Sequence, residues 1–212
     1  MSLKLSRIEG VFLSDHSSLE PDDYCYFLGE YTSGRSYEYG RTNSLISNFK
    51  KSPDKKGGSE WQYKEEAIRK IAEAFRKSLP SAWLRKVTLV PIPPSKTQKN
   101  PLYDDRMTRT LEMLSQQSSN ALDVRELIKQ SESRKADHES SLRQSIDDLI
   151  ENYYIDQYLV YPEPEEIALF DDLLTTGKHF KAAQSILRKQ YPSVKTRGIF
   201  VARRIFEKSE NI

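Results

Sequence analysis

Two adjacent carboxylates followed by a hydroxyl-rich turn are the residues best suited to chemistry in this chain: Asp171-Asp172, then Leu173-Leu174, then Thr175-Thr176-Gly177-Lys178. Carboxylates accept hydrogen bonds from sugar hydroxyls and are hard ligands for divalent cations. A turn that opens a helix presents unpaired backbone N–H groups, and the helix dipole favours an anion there. Paired acids beside a phosphate cradle suit a ligand carrying both a phosphate and a polyol, such as a phosphorylated ribose. A second reactive stretch, Pro93-Pro94-Ser95-Lys96-Thr97-Gln98-Lys99, supplies a hydroxyl and two lysines in a proline-rich turn.

Each stretch needs an element to position it. The apolar run Ile167-Ala168-Leu169-Phe170 reads as a buried parallel strand ending at the two aspartates. Phe180, Ala183, Ile186 and Leu187 mark the buried side of a following helix, which Pro192 closes, and Gly198 to Ala202 supplies the next strand. Val87 to Ile92 reads as the strand that delivers the Ser95-Lys96 turn. Before it, Ile68, Ile71, Ala72, Phe75 and Leu79 share one face of a helix spanning about 63–79. Met107, Thr110, Leu111 and Leu114 mark another helix, and Ala121 to Lys129 a short strand. The pattern predicts an α/β fold, an open and mostly parallel sheet flanked by helices.

The run from Ile167 to Lys178 resembles the PRPP-binding motif of type I phosphoribosyltransferases: apolar strand, Asp-Asp, two apolar residues, Thr-Thr-Gly. The resemblance implies that Asp171 and Asp172 hold the ribose hydroxyls, and that either could take a proton from the accepting nucleophile. It assigns the 5′-phosphate to Thr175, Thr176, Gly177, Lys178 and His179, where His179 replaces the family's usual Thr. Ser95, Lys96 and Lys99 would receive pyrophosphate. Mg²⁺ would be held mainly through PRPP, with Asp171 and Asp172 as protein ligands. The polar stretch near 130–145 occupies the position of the family's flexible hood, which makes Arg134, Lys135, His138 and Arg143 candidates to meet the leaving pyrophosphate.

The spelling Val90-Pro91-Ile92-Pro93-Pro94-Ser95-Lys96, with Tyr39-Gly40 and Leu45-Ile46 through Phe49-Lys50 upstream, is most similar to the ComF-type subgroup. That subgroup's four-cysteine zinc module is missing, and its Arg-Gly-Phe-Asn block is replaced by Leu102 to Met107. The implied activity is transfer of 5-phosphoribose from PRPP to a nitrogenous base or related acceptor. The alternative keeps the fold without turnover, as a PRPP- or nucleotide-sensing regulator or an accessory factor in DNA handling.

Composition bounds the rest. With 33 basic and 31 acidic residues in 212, the formal charge of +2 gives no general signal for nucleic acid. The expected partners are PRPP and a small-molecule acceptor, with a homodimer left open. A single cysteine, Cys25, excludes an intramolecular disulfide and a multi-cysteine zinc site, and its apolar setting suits a structural thiol. No apolar run approaches membrane-spanning length and the N-terminus lacks a secretory pattern, so a cytoplasmic protein is expected. Residues 1–60, dense in tyrosine, are expected to form a β-rich appendage packing on a core of 61–212. An aromatic surface for stacking bases is the other reading of those tyrosines.

Overall fold

The computed structural model describes residues 5–133 and 145–206. Among them a five-stranded sheet runs in the order β1 (Ser6–Arg7), β2 (Cys25–Thr32), β7 (Lys195–Ile205), β6 (Glu166–Leu174), β3 (Thr88–Pro91). β1 lies antiparallel to β2; the contacts β2–β7, β7–β6 and β6–β3 are all parallel. Beyond β3, Val124 bridges Leu89 in parallel, so the segment expected as a strand over 121–129 touches the sheet at one residue pair. Its last residues turn away into a separate two-stranded ribbon of β4 (Ile128–Gln130) and β5 (Tyr153–Ile155).

Helices cover both faces, which is why the middle of β6 and of β7 is a continuous apolar run rather than an alternation with polar residues. On one face α6 (Lys178–Gln190) buries Phe180, Ala183 and Leu187 with Ile167 and Leu169 of β6 and Val90 of β3. On the other, α1 (Arg41–Phe49), α2 (Trp61–Ser78) and α4 (Arg106–Gln116) pack on Ala168, Phe170 and Leu89. The 3.6-residue spacing of Ile68, Ile71, Ala72 and Phe75 makes one stripe of α2, and all four are buried. Phe75 meets Phe170 edge to face with ring centroids 5.2 Å apart. Met107, Thr110, Leu111 and Leu114 are likewise the buried side of α4. The short helices α3 (Ser81–Leu84) and α5 (Ile146–Asn152) complete the chain, α5 opening on a capping box between Ser145 and Asp148.

The first 60 residues, expected as an appendage on the core, are joined to the core sheet itself. β2 is hydrogen-bonded along β7 from Cys25–Gly198 to Thr32–Ile205, and Phe49 of α1 lies in the same apolar cluster as Phe75 and Phe170. The sequence could not show this, because a strand's partner is chosen by long-range pairing. Tyr26 and Tyr31 pack partly against that cluster, whereas Tyr24, Tyr37 and Tyr39 are exposed. Cys25 is fully buried, and burial pushes its thiol far above the ordinary range, as suits a structural residue. No helix among the described residues is long and apolar enough to cross a membrane.

Candidate functional site

From β3 the chain moves outward to Val124 and then returns to the other side of β3 as β6. The crossover helices lie on opposite faces, α4 with the α2 layer and α6 with the other. This makes the crevice between β3 and β6 a topological switch point, where open α/β sheets bind ligands beyond the carboxyl ends of their strands. A cavity of about 190 Å³ occupies that crevice. Its wall includes Lys96 and Lys99 from the turn after β3, Arg106 at the start of α4, and Asp171 and Asp172 of β6.

The aspartates do not end the strand as expected, since β6 continues through Leu174. Continued pairing with β7 draws the motif deeper into the sheet and makes its two acids unequal. Asp172 is 5% exposed and held by two cations from elements far away in sequence. Its Oδ2 accepts from Arg106 Nε at 3.0 Å and from Arg106 Nη2, and its Oδ1 accepts from Lys50 Nζ at 3.1 Å. Burial penalises its charge, but Lys50 and Arg106 together outweigh that and hold the carboxyl well below the usual carboxylate range. Asp171 is partly exposed on the cavity side, and its Oδ1 accepts the Asp172 backbone N–H at 2.7 Å. Burial, then the neighbouring Asp172 charge, push its carboxyl up to about 7.

A buried chain of charges supports this arrangement. Arg106 Nη1 donates to Asp104 Oδ2 at 2.6 Å, and Asp104 Oδ2 also accepts from Lys64 Nζ at 2.7 Å. Lys64, fully buried in α2, donates further to the carbonyls of Phe49 at 3.1 Å and Lys51 at 2.6 Å. Those bonds fix the C-terminal end of α1 and with it Lys50. Lys64, Lys50 and Asp104 carry no functional signal in the sequence, since each is an ordinary charged residue until the sheet brings them together. The Leu102 to Met107 block, a departure from the family spelling, supplies the central Arg106.

The Thr175–Gly177 turn, expected to hold phosphate, is positioned otherwise than expected. Thr175 to Gly177 lead directly into α6, with Gly177 at φ +92°, a left-handed conformation that favours glycine. Lys178 is buried at the first helical position. His179 shares a hydrogen bond with the Tyr153 hydroxyl of β5 at 3.1 Å, because β5 packs on α6 beside it. None of Thr175 to His179 lines the cavity, and neither does Ser95. Lys96 and Lys99 do, on a turn tied down by Gln130 Nε2 to the Pro94 carbonyl at 2.8 Å and by Thr97 N–H to Ser133 Oγ at 3.0 Å. The hood candidates Arg134, Lys135, His138 and Arg143 lie outside the described residues.

At its far end the cavity reaches Glu126, whose carboxylate accepts from Tyr103 Oη at 2.9 Å, Thr108 Oγ1 at 2.7 Å and Gln98 Nε2 at 2.6 Å. Burial and then Glu126 hold the Tyr103 phenol far above its ordinary range, so it stays a donor. Away from the cavity, exposed Glu20 and Asp22 cluster with buried Asp23, but Lys181 already engages Glu20 and Asp23. For a divalent cation in the crevice, Asp171 is the carboxylate with more oxygen valence left open; Arg106 and Lys50 already occupy three of the four lone-pair sites of Asp172. Neither a protein-family model nor a curated protein matches the chain.

Proposed function

We propose that this protein is a type I phosphoribosyltransferase-like enzyme that binds PRPP with Mg²⁺ and transfers 5-phosphoribose to a nitrogenous base or related acceptor, releasing pyrophosphate. The observation carrying the reading is that Asp171 of the PRPP-type motif and the Lys96–Lys99 turn face one cavity at the sheet's switch point. The Thr175–Gly177 turn at the head of the 13-residue α6 is suited to a phosphate beside it.

In this reading Asp171 holds the ribose hydroxyls and, with a carboxyl titrating near neutrality, takes the proton released by the attacking nitrogen. Lys96 and Lys99 balance the negative charge that grows on pyrophosphate as the C1–oxygen bond breaks. Bound Mg²⁺ would supply further charge neutralisation of the leaving group. Asp172 acts at one remove, because its bonds to Arg106 and Lys50 fix the end of β6 and the mouth of the cavity.

A reading without turnover has one observation in its favour: the internal ion pairs at Asp172 leave one carboxylate, not two, to meet the ribose. Calorimetric titration with PRPP, with and without Mg²⁺, followed by pyrophosphate release across a panel of nucleobases, separates the two. Mg²⁺-dependent binding with release supports the enzyme, and binding with no release for any base supports the sensor. No PRPP binding at all rejects both.

A further inference from the structure

The turn expected to hold phosphate is braced by residues more than 150 positions earlier. After a 3-10 turn over Gly10–Asp15, the chain crosses the front of α6 as a short strap, His16 to Leu19. His16 is fully buried, and its Nδ1 hydrogen-bonds the Thr175 carbonyl. A carbonyl only accepts, so Nδ1 carries the hydrogen. Ser18 N–H donates to the next carbonyl, Thr176, at 2.8 Å. Leu19 closes over Gly177 so tightly that a Cβ there would lie 2.7 Å from its Cδ2.

The strap therefore takes both carbonyls of the turn. In a planar trans peptide the N–H points opposite to the C=O. Drawing the Thr175 and Thr176 carbonyls toward the strap turns the N–H groups of Thr176 and Gly177 the other way, as a pair. Such paired N–H groups at a helix N-terminus bind anions. Two buried atoms of this cluster, His16 Nε2 and Thr176 Oγ1, have no hydrogen-bond partner among the described residues.

We propose that His16 is a positioning residue for an anion subsite at the Thr175–Gly177 turn, fixing the turn's N–H groups toward a phosphate monoester through the Thr175 carbonyl. The inference rests on the phosphoribosyl reading for the choice of ligand. It goes beyond that reading in assigning a role to the N-terminal strap, which lies outside the motif. His16 acts through Thr175 and is not a catalytic residue.

The test compares three variants of the full chain by titration with ribose 5-phosphate and, separately, pyrophosphate. His16→Asn keeps an N–H near the position of Nδ1, His16→Gln moves it to the position of Nε2, and His16→Leu removes it. Expected are near-wild-type ribose 5-phosphate affinity for His16→Asn and a loss of about tenfold for Gln and Leu, the weight of one hydrogen bond. Pyrophosphate affinity, set by the Lys96 turn, stays unchanged in all three. If the Leu variant does not fold, the Asn–Gln pair still decides. Equal affinities for Asn and Gln, or parallel loss of both ligands, overturns the brace while leaving the phosphoribosyl reading standing. A wild type that binds no ribose 5-phosphate overturns that reading and the anion subsite together.

Discussion

Arg106→Met would test whether the charge chain behind the cavity organises the site. In the wild type, Asp172 is 5% exposed and receives two bonds from the Arg106 guanidinium. After the substitution only Lys50 remains, with its side chain 41% exposed, and such a partner contributes at most about 1 kcal/mol. Breaking a buried pair by removing one partner costs about 3–5 kcal/mol. Asp104 keeps Lys64 at 2.7 Å, so no second carboxylate is stranded and the lower end applies, about 3 kcal/mol. Asp172→Asn leaves Arg106 with Asp104 as its one carboxylate, at 2.6 Å, and the double variant removes both members of the pair. The cycle should therefore close with a coupling of about 2 kcal/mol. Urea unfolding at neutral pH measures it, with m-values unchanged across the four proteins. The acid limb adds a check of sign. The Asp172 carboxyl is depressed below its ordinary 3.8, so its contribution is full above about pH 4 and is lost as pH falls toward the folded value. That loss should shrink in Arg106→Met. Single-variant costs that add to within about 0.5 kcal/mol would refute the clamp.

Asp171 has the opposite linkage: its carboxyl is raised from 3.8 to about 7, so the folded state keeps a proton the unfolded state gives up, and stability declines as pH rises through that window. Asp171→Asn should remove a slope of at most about 1.4 kcal/mol per pH unit between pH 4 and 7, seen in urea midpoints; an unchanged slope would assign the titration to another group. Lys64→Met leaves two carbonyls and Asp104 without their buried amine, and should cost about 3 kcal/mol in the same assay. A cost under about 1 kcal/mol would mean that water replaces the amine readily. Gly177→Ala meets both a left-handed φ and the Leu19 side chain, for a loss of about 1–3 kcal/mol. Adding Leu19→Ala should relieve the steric part alone, so complete recovery in the double variant would show that the backbone carries no strain.

The longest elements and their order were legible in the local pattern, whereas α1, α5 and the single-pair contact of the 121–129 segment were not. The short, largely apolar runs at 87–92 and 167–170 read as strands covered on both faces, and the helical stripes of α2, α4 and α6 matched the faces that are buried. The local pattern also located the two turns that flank the crevice, because proline, glycine and hydroxyl residues mark backbone geometry locally. Which charges meet depends on long-range packing. β2 enters the sheet beside β7 through hydrogen bonds that carry no residue-specific signature, and this carries the His16 strap to the front of α6. Lys50, at the end of α1, and Arg106, at the entry to α4, converge on Asp172, with Asp104 and Lys64 of α2 lined up behind Arg106. Adjacent aspartates look equivalent in a sequence. Only the fold made one an internal counter-ion and left the other facing the cavity, because an ion pair depends on distance through space and not along the chain.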